Sequence, residues 1–184
     1  MSFTYLKKES IYRLININPL LLISTVSKDK KYNIAPIAWG CPQELNPTRL
    51  LICIDTGHKT FENIVKTKKF VACIPNISQL KLVKNTGGIS GREVDKFKKF
   101  NIKSFIAEKT GCKIPDGITG YLENRVFKII KIDSTAIVIG DVITAAVDKD
   151  AFDGKRLLAE KKKCKVIYHL GKNKFISTGN VIYS

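Results

Sequence analysis

A chain of 184 residues, 44% of them hydrophobic, is long enough to bury a sizeable core and fits one domain over residues 1–184. Its 32 Lys and Arg stand against 16 Asp and Glu, for a net charge of +16, but the lysines are scattered and arginine occurs only at Arg13, Arg49, Arg92, Arg125 and Arg156. That pattern, with no aromatic residues interleaved in the densest run (EKKKCK, 160–165), weighs against nucleic acid and favours small anionic ligands; the absence of a long apolar run or a signal-peptide pattern excludes a membrane helix and points to the cytoplasm. Residues 10–18 have the spacing of a short helix with Ser10 as its cap. Residues 20–27 (LLLISTVS) read as a strand, KDKK at 28–31 as a polar turn, and 32–38 as a second extended run that completes a hairpin. A buried strand is expected over 50–55 (LLICID), a helix over 60–67, a strand over 70–75 (FVACIP) and helical stretches over 78–84 and 93–100. Residues 120–132, 136–147 and 174–182 are β-rich. Strands in hairpin-like succession with few long helices predict a mainly antiparallel sheet closed into a barrel, with helices over its ends.

The 5 cysteines are widely separated and form no C-x-x-C, which argues against a disulfide framework or a cysteine-based zinc site. Cys53 and Cys73 lie in strand-like runs and read as buried thiols, whereas Cys41 sits in the stretch with most functional promise.

That stretch, YNIAPIAWGCP at 32–42, is apolar yet carries Pro36, Gly40, Pro42 and the single tryptophan, Trp39. Proline has no N–H for a ladder, so strand pairing is expected to stop at Pro36 and leave neighbouring N–H and C=O groups in need of a partner. A planar heterocycle with donors and acceptors along one edge would answer that need; an edge strand capped by proline, with Trp39 in the core, is the plainer alternative. In DTGHKTFEN (55–63) a strand ends, a glycine turn follows and a helix begins. Its unpaired N–H groups, with His58, Lys59 and the Thr60 hydroxyl, suit a phosphate, although Thr60 also has the character of a simple N-cap. NTGGISGREVDK (85–96) is a flexible, anion-friendly loop before a helix and matches neither G-x-G-x-x-G nor the P-loop spacing.

Taken in order, Asn33-x-Ala35-Pro36 with Trp39, Lys59-Thr60-x-x-Asn63, and Gly88-x-Ser90-Gly91-Arg92-x-Val94-Asp95-Lys96-Phe97 resemble the flavin reductase-like, or flavoredoxin-like, proteins. Residues 120–123, Ile139-Gly140-Asp141-Val142 and Tyr168-x-x-Gly171 followed by Phe175 extend the resemblance to the C-terminus. It implies an FMN-binding, antiparallel split β-barrel of Greek-key type, a homodimer with FMN near the subunit interface, and an FMN-dependent oxidoreductase. It would set Asn33, Ala35, Pro36, Ile37, Ala38 and Trp39 along the isoalloxazine and ribityl parts, and His58, Lys59, Thr60 and Asn63 at the phosphate. Ser90, Gly91, Arg92 and Lys96 would complete the pocket, with Lys96 as the charged contact and Tyr168 closing over the ring. Thr135 stands where many relatives carry His, which leaves the flavin expectation intact and the substrate open. Hydride or single-electron transfer at a flavin requires no catalytic acid or base from the chain, so no catalytic residue is assigned. The second histidine, His169, is isolated and reads as structural. The donor implied is NAD(P)H or an acidic redox protein. A non-catalytic barrel that stores FMN or binds nucleic acid is the competing class.

Overall fold

The structure is a computed structural model that describes residues 6–16 and 18–182. Along the chain run β1 (Leu21–Val26), β2 (Tyr32–Ile37), β3 (Gly40–Leu45), β4 (Thr48–Asp55), α1 (Lys59–Thr67), β5 (Lys69–Ile74) and α2 (Leu80–Gly87). There follow α3 (Lys96–Lys99), β6 (Ser104–Ile106), β7 (Lys113–Pro115), β8 (Gly120–Ile132), β9 (Thr135–Val147), β10 (Ile167–Gly171) and β11 (Lys174–Ser177). Seven strands form one antiparallel sheet in the order β2-β1-β5-β8-β9-β4-β3; β6 pairs with β7 and β10 with β11 as separate hairpins. The outermost strands, β2 and β3, are joined by only Ala38 and Trp39, so the sheet has to curl until its edges approach. Cys53 N–H donates to the Trp39 C=O at 2.8 Å across that corner. The result is the antiparallel barrel with peripheral helices that the strand succession predicts, in the split form that the family resemblance implies.

Side-chain alternation sorts the core into two layers. Inside the curled sheet lie Leu21, Ile23, Ile52, Ile54, Phe70, Ala72 and Val138, with Phe61 and Ile64 of α1 closing one end. On the outer face Leu22, Ile34, Val71 and Cys73 pack against Val83 of α2, Phe97 of α3, Ile114 of β7 and Ile167 of β10. β1 and β5 are covered on both sides, which is why their sequences read as continuous apolar runs rather than alternating ones. Gly140 on β9 faces Phe70; a Cβ there would meet the ring at 2.8 Å, so only glycine lets that ring occupy the barrel interior.

Several expectations change. The N-terminal turn is a 3₁₀ helix over Lys8–Leu14 that begins before Ser10, and the remainder of the 10–18 expectation includes Ile17, outside the described residues. β2 does not stop at Pro36: the register Leu22↔Pro36 and Leu21↔Ile37 carries pairing through it. β2 is an edge strand, and the Ile34 carbonyl points away from β1 to accept from Lys96 Nζ. Pro36 shares the parity of Ile34, so its missing N–H falls on the open edge and the ladder loses nothing. The helix expected over 93–100 contracts to the single turn of α3, with the Asp95 carboxylate accepting from Lys98 N–H. β3, β6, β7 and β10 had no counterpart among the expected elements, and β11 ends at Ser177. Among the described residues no helix is long and apolar enough to cross a membrane.

Candidate functional site

The open edge of β2, the start of α1 and the loop after α2 enclose a cleft of about 300 Å³. Asn33, Ala35 and Pro36 line it from β2; Gly57, His58, Lys59 and Thr60 from the α1 start; Thr86, Gly87, Gly88, Ile89, Ser90, Gly91 and Lys96 from the opposite side. The three stretches singled out in the sequence therefore converge in space.

Each wall has a local cause. His58 takes the N-cap position of α1 in an extended conformation and makes no side-chain cap, so the first-turn N–H groups keep their partial positive charge. Thr60 is not the cap. It is buried one position inside the helix, and its hydroxyl accepts from Asn33 Nδ2 at 2.9 Å. One turn on, Asn63 Nδ2 donates to Thr25 Oγ1 at 3.1 Å, and the pair lies behind the cleft wall. Asn33 Oδ1 and Asn63 Oδ1 are buried without a hydrogen-bond partner among the described residues, so each carries uncompensated acceptor capacity. Gly91 closes over Asn33, where a Cβ would run into Oδ1, and a Cβ at Gly87 would meet Pro36 Cγ at 2.9 Å. The two glycines are what allow the loop to lie against the strand edge.

Charge in the site is organised by two groups. Glu62 bonds Lys59 Nζ and Lys66 Nζ, both at 2.9 Å, and Arg92 Nη2 at 3.3 Å; the Lys66 and Lys59 bonds hold its carboxyl down at about 2. Arg92 Nη1 also donates to the Gly57 C=O, so the guanidinium straps the glycine-rich loop to the α1 start, and Ser90 Oγ accepts from Arg92 N–H at 3.2 Å. Lys96 is the other group. Only 3% exposed, its Nζ donates to the Ile34 C=O at 3.0 Å and the Thr86 C=O at 2.5 Å. Among the described residues no carboxylate pairs with it, and burial pushes its ammonium down to about 8.

Of the residues picked from sequence, Asn33, Ala35, Pro36, His58, Lys59, Thr60, Ser90, Gly91 and Lys96 line this cleft. Ala38 lines an adjoining cleft with Pro36. Ile37 packs in the barrel core, Asn63 lies behind the wall and Arg92 braces from outside. Trp39 is 44% exposed, with its indole N–H on Asn16 Oδ1 at 2.7 Å and its ring edge-on to Tyr12. Tyr168 is half-buried in β10, bridged to Pro19. Thr135 opens β9 opposite Asp55 and donates to the Ile132 C=O. Sequence reading did not pick out Thr86, whose contribution is a carbonyl, or Gly87, although the repeated glycines of 87–91 were a signal for it.

The cysteines stand apart from the cleft. All are free thiols; burial pushes Cys73 upward and Cys112 to about 11, which leaves both unreactive, and Cys41 is exposed on β3. Among the described residues no cluster of His, Cys, Asp and Glu is arranged to hold a metal ion.

The chain is 28% identical over 170 residues to the uncharacterized protein YddH of Escherichia coli (strain K12), an alignment covering 91% of this chain and 90% of YddH. The flavoredoxin of Desulfovibrio vulgaris (Miyazaki F) superposes with a TM-score of 0.85 at 18% identity, covering 100% of this chain and 97% of that one. An FMN-binding protein from Thermus thermophilus, solved with bound 1-cyclohex-2-enone, superposes with a TM-score of 0.85 at 18% identity, covering 100% and 99%. Nitrilotriacetate monooxygenase component B from Bacillus cereus does so with a TM-score of 0.85 at 17% identity, covering 100% and 98%. Together these fix the fold, and the model of the flavin reductase like domain matches residues 15–167. On that match over most of its length, the chain belongs to the flavin reductase-like domain family.

Proposed function

We propose that this chain is an FMN-dependent oxidoreductase, a flavin reductase or flavoredoxin-like electron-transfer protein that binds FMN in the cleft between β2, α1 and the 86–91 loop. The observation that carries the reading is Lys96: a buried ammonium on the cleft wall with two carbonyl acceptors and no carboxylate among the described residues. Such a charge is costly to bury unless an anion completes its surroundings. The cleft fits FMN on further grounds. The α1 N-terminus with His58, Lys59 and Thr60 would hold the phosphate. Asn33, whose Oδ1 has no donor among the described residues, and the open edge of β2 would face the hydrogen-bonding rim of the flavin. Bound there, FMN would supply hydride and single-electron chemistry.

The chain's own part would be to bind, orient and partly desolvate. Arg92 would keep the loop closed through Gly57 and Glu62, and the close approach of Gly87 and Gly91 to β2 would exclude water. NAD(P)H or an acidic redox protein would be the donor, drawn by the net charge of +16. The chain would act as one domain and as a homodimer in the cytoplasm, with exposed Phe127, Ile130 and Ile132 on β8 offering an apolar face to the partner. The test is a visible absorption spectrum of the purified protein before and after anaerobic NADH or NADPH. A flavin spectrum that bleaches supports both cofactor and donor. One that persists keeps the flavin and moves the donor to a redox protein. A colourless protein that takes up no added FMN refutes the reading.

A further inference from the structure

Beside the first cleft opens a second, of about 340 Å³, and the two share Pro36, Gly87 and Gly88 as a common wall. Its floor is apolar: Leu20 and Val83 are buried, and the Phe175 ring lies 5.0 Å from that of His169, tilted by 40°. Its rim is basic. Lys84 stands in the last turn of α2 and Lys172 in the turn between β10 and β11, both exposed. Among the described residues neither pairs with a carboxylate and no acidic side chain lines the cleft. The turn that presents Lys172 is tight, with Gly171 at φ 113° and Lys172 at φ 52°, and His169 Nε2 lies 3.0 Å from the Lys172 carbonyl, which can only accept. That bond fixes both the ring and the turn.

We propose that this second cleft binds a small, flat organic anion, an arene carboxylate in chemical class. Apolar walls with an aromatic side chain accept a ring, while the two lysines on the rim, without a carboxylate partner among the described residues, provide a field that a carboxylate satisfies and a neutral or cationic ligand does not. A volume of about 340 Å³ lies near the lower end of small-molecule sites, ~300–1,000 Å³, and leaves no room for a whole dinucleotide. The shared wall places the anion beside the occupant of the first cleft. The flavin reading is needed only to make that anion a co-substrate.

The chain's 2 histidines report on the two clefts separately, His58 on the first and His169 on the second. Full-length protein with isotope-labelled histidine is titrated with benzoate, with benzamide as a neutral analogue of the same shape, and separately with FMN. Benzoate is expected to shift the His169 ring signals saturably, with benzamide at least about tenfold weaker. The combined substitution Lys84→Met, Lys172→Met removes that preference while FMN still shifts His58. Equal affinity for benzoate and benzamide in the parent, or benzoate shifts at His58 alone, overturns the proposal without bearing on the flavin. Failure of FMN to shift His58 counts against the flavin reading, and a benzoate response at His169 then still supports the anion site.

Discussion

Lys96→Met removes the ammonium from the wall of the first cleft while keeping a long, unbranched side chain in the same space. Two opposed effects set the cost to folding. Burial lowers the Lys96 pKa from its ordinary 10.5 to about 8, which at ~1.4 kcal/mol per pH unit is about 3 kcal/mol against the charged form. Methionine relieves that. It also leaves the Ile34 and Thr86 carbonyls without their donor, at about 1–3 kcal/mol each. The net effect lies between a gain of about 1 and a loss of about 3 kcal/mol, small enough for the variant to fold. The effect on an anionic ligand has no such compensation. A charge-assisted hydrogen bond contributes about 1.5–3 kcal/mol, so FMN affinity should fall roughly ten- to a hundredfold. Fluorescence-quenching titration of FMN measures the affinity, and urea unfolding the stability. pH gives an independent check. Because the folded pKa lies below the unfolded one, the ligand-free folded protein holds fewer protons between about 8 and 10.5. Stability from this group therefore rises with pH across that window, and FMN affinity falls by up to about tenfold per unit above pH ~8. Both dependences should vanish in the variant. Equal FMN affinity in parent and variant near pH ~7 would refute the assignment of Lys96 as the ligand's counter-charge.

Gly91→Ala should push the loop off Asn33, because the new Cβ runs into Oδ1; about 1–3 kcal/mol of stability and about tenfold of FMN affinity are expected to go, read by thermal melting and calorimetric titration, and an unchanged affinity would show that the loop does not shape the site. Lys59→Ala combined with Thr60→Ala should weaken FMN more than riboflavin, which lacks the phosphate; equal weakening of the two would place the phosphate elsewhere. Glu62 has its carboxyl held at about 2 by Lys66 and Lys59, so the stability it contributes is present above pH ~4.5 and is lost as the pH falls toward ~2. Glu62→Gln should remove that part of the acid dependence in urea midpoints taken across the same range, and a profile superimposable on the parent's would count against the ion-pair cluster.

How much of this was legible beforehand depended on where the physical cause lies. The β-run read over 120–132 coincides with β8, and that over 136–147 falls one residue short of β9, because alternating and β-branched apolar residues carry their own signal. β1 and β5 were legible as apolar runs for the same reason. β3 was not: GCPQEL is mostly exposed, contains Pro42, and is extended only because β4 pairs with it. β6, β7 and β10 are likewise short segments held by a partner strand.

The site divides the same way. His58-Lys59-Thr60 and Ser90-Gly91 were recognisable because a helix start and a glycine-rich loop are local features, and their order along the chain carried the family resemblance. What each side chain does there was decided by residues far away in sequence. The Thr60 hydroxyl is taken by Asn33, 27 positions earlier, and Arg92 reaches Gly57 across 35 positions. Lys96 finds the carbonyl of Ile34 62 positions away. By itself the sequence determined the apolar strands such as β1, β5, β8 and β9, the helix start that suits an anion and the flexibility of the loop, since all of these follow from neighbouring residues. Only the tertiary structure decided that Lys96 is a buried charge without a carboxylate partner among the described residues, because main-chain acceptors look the same at every position until folding brings one within reach.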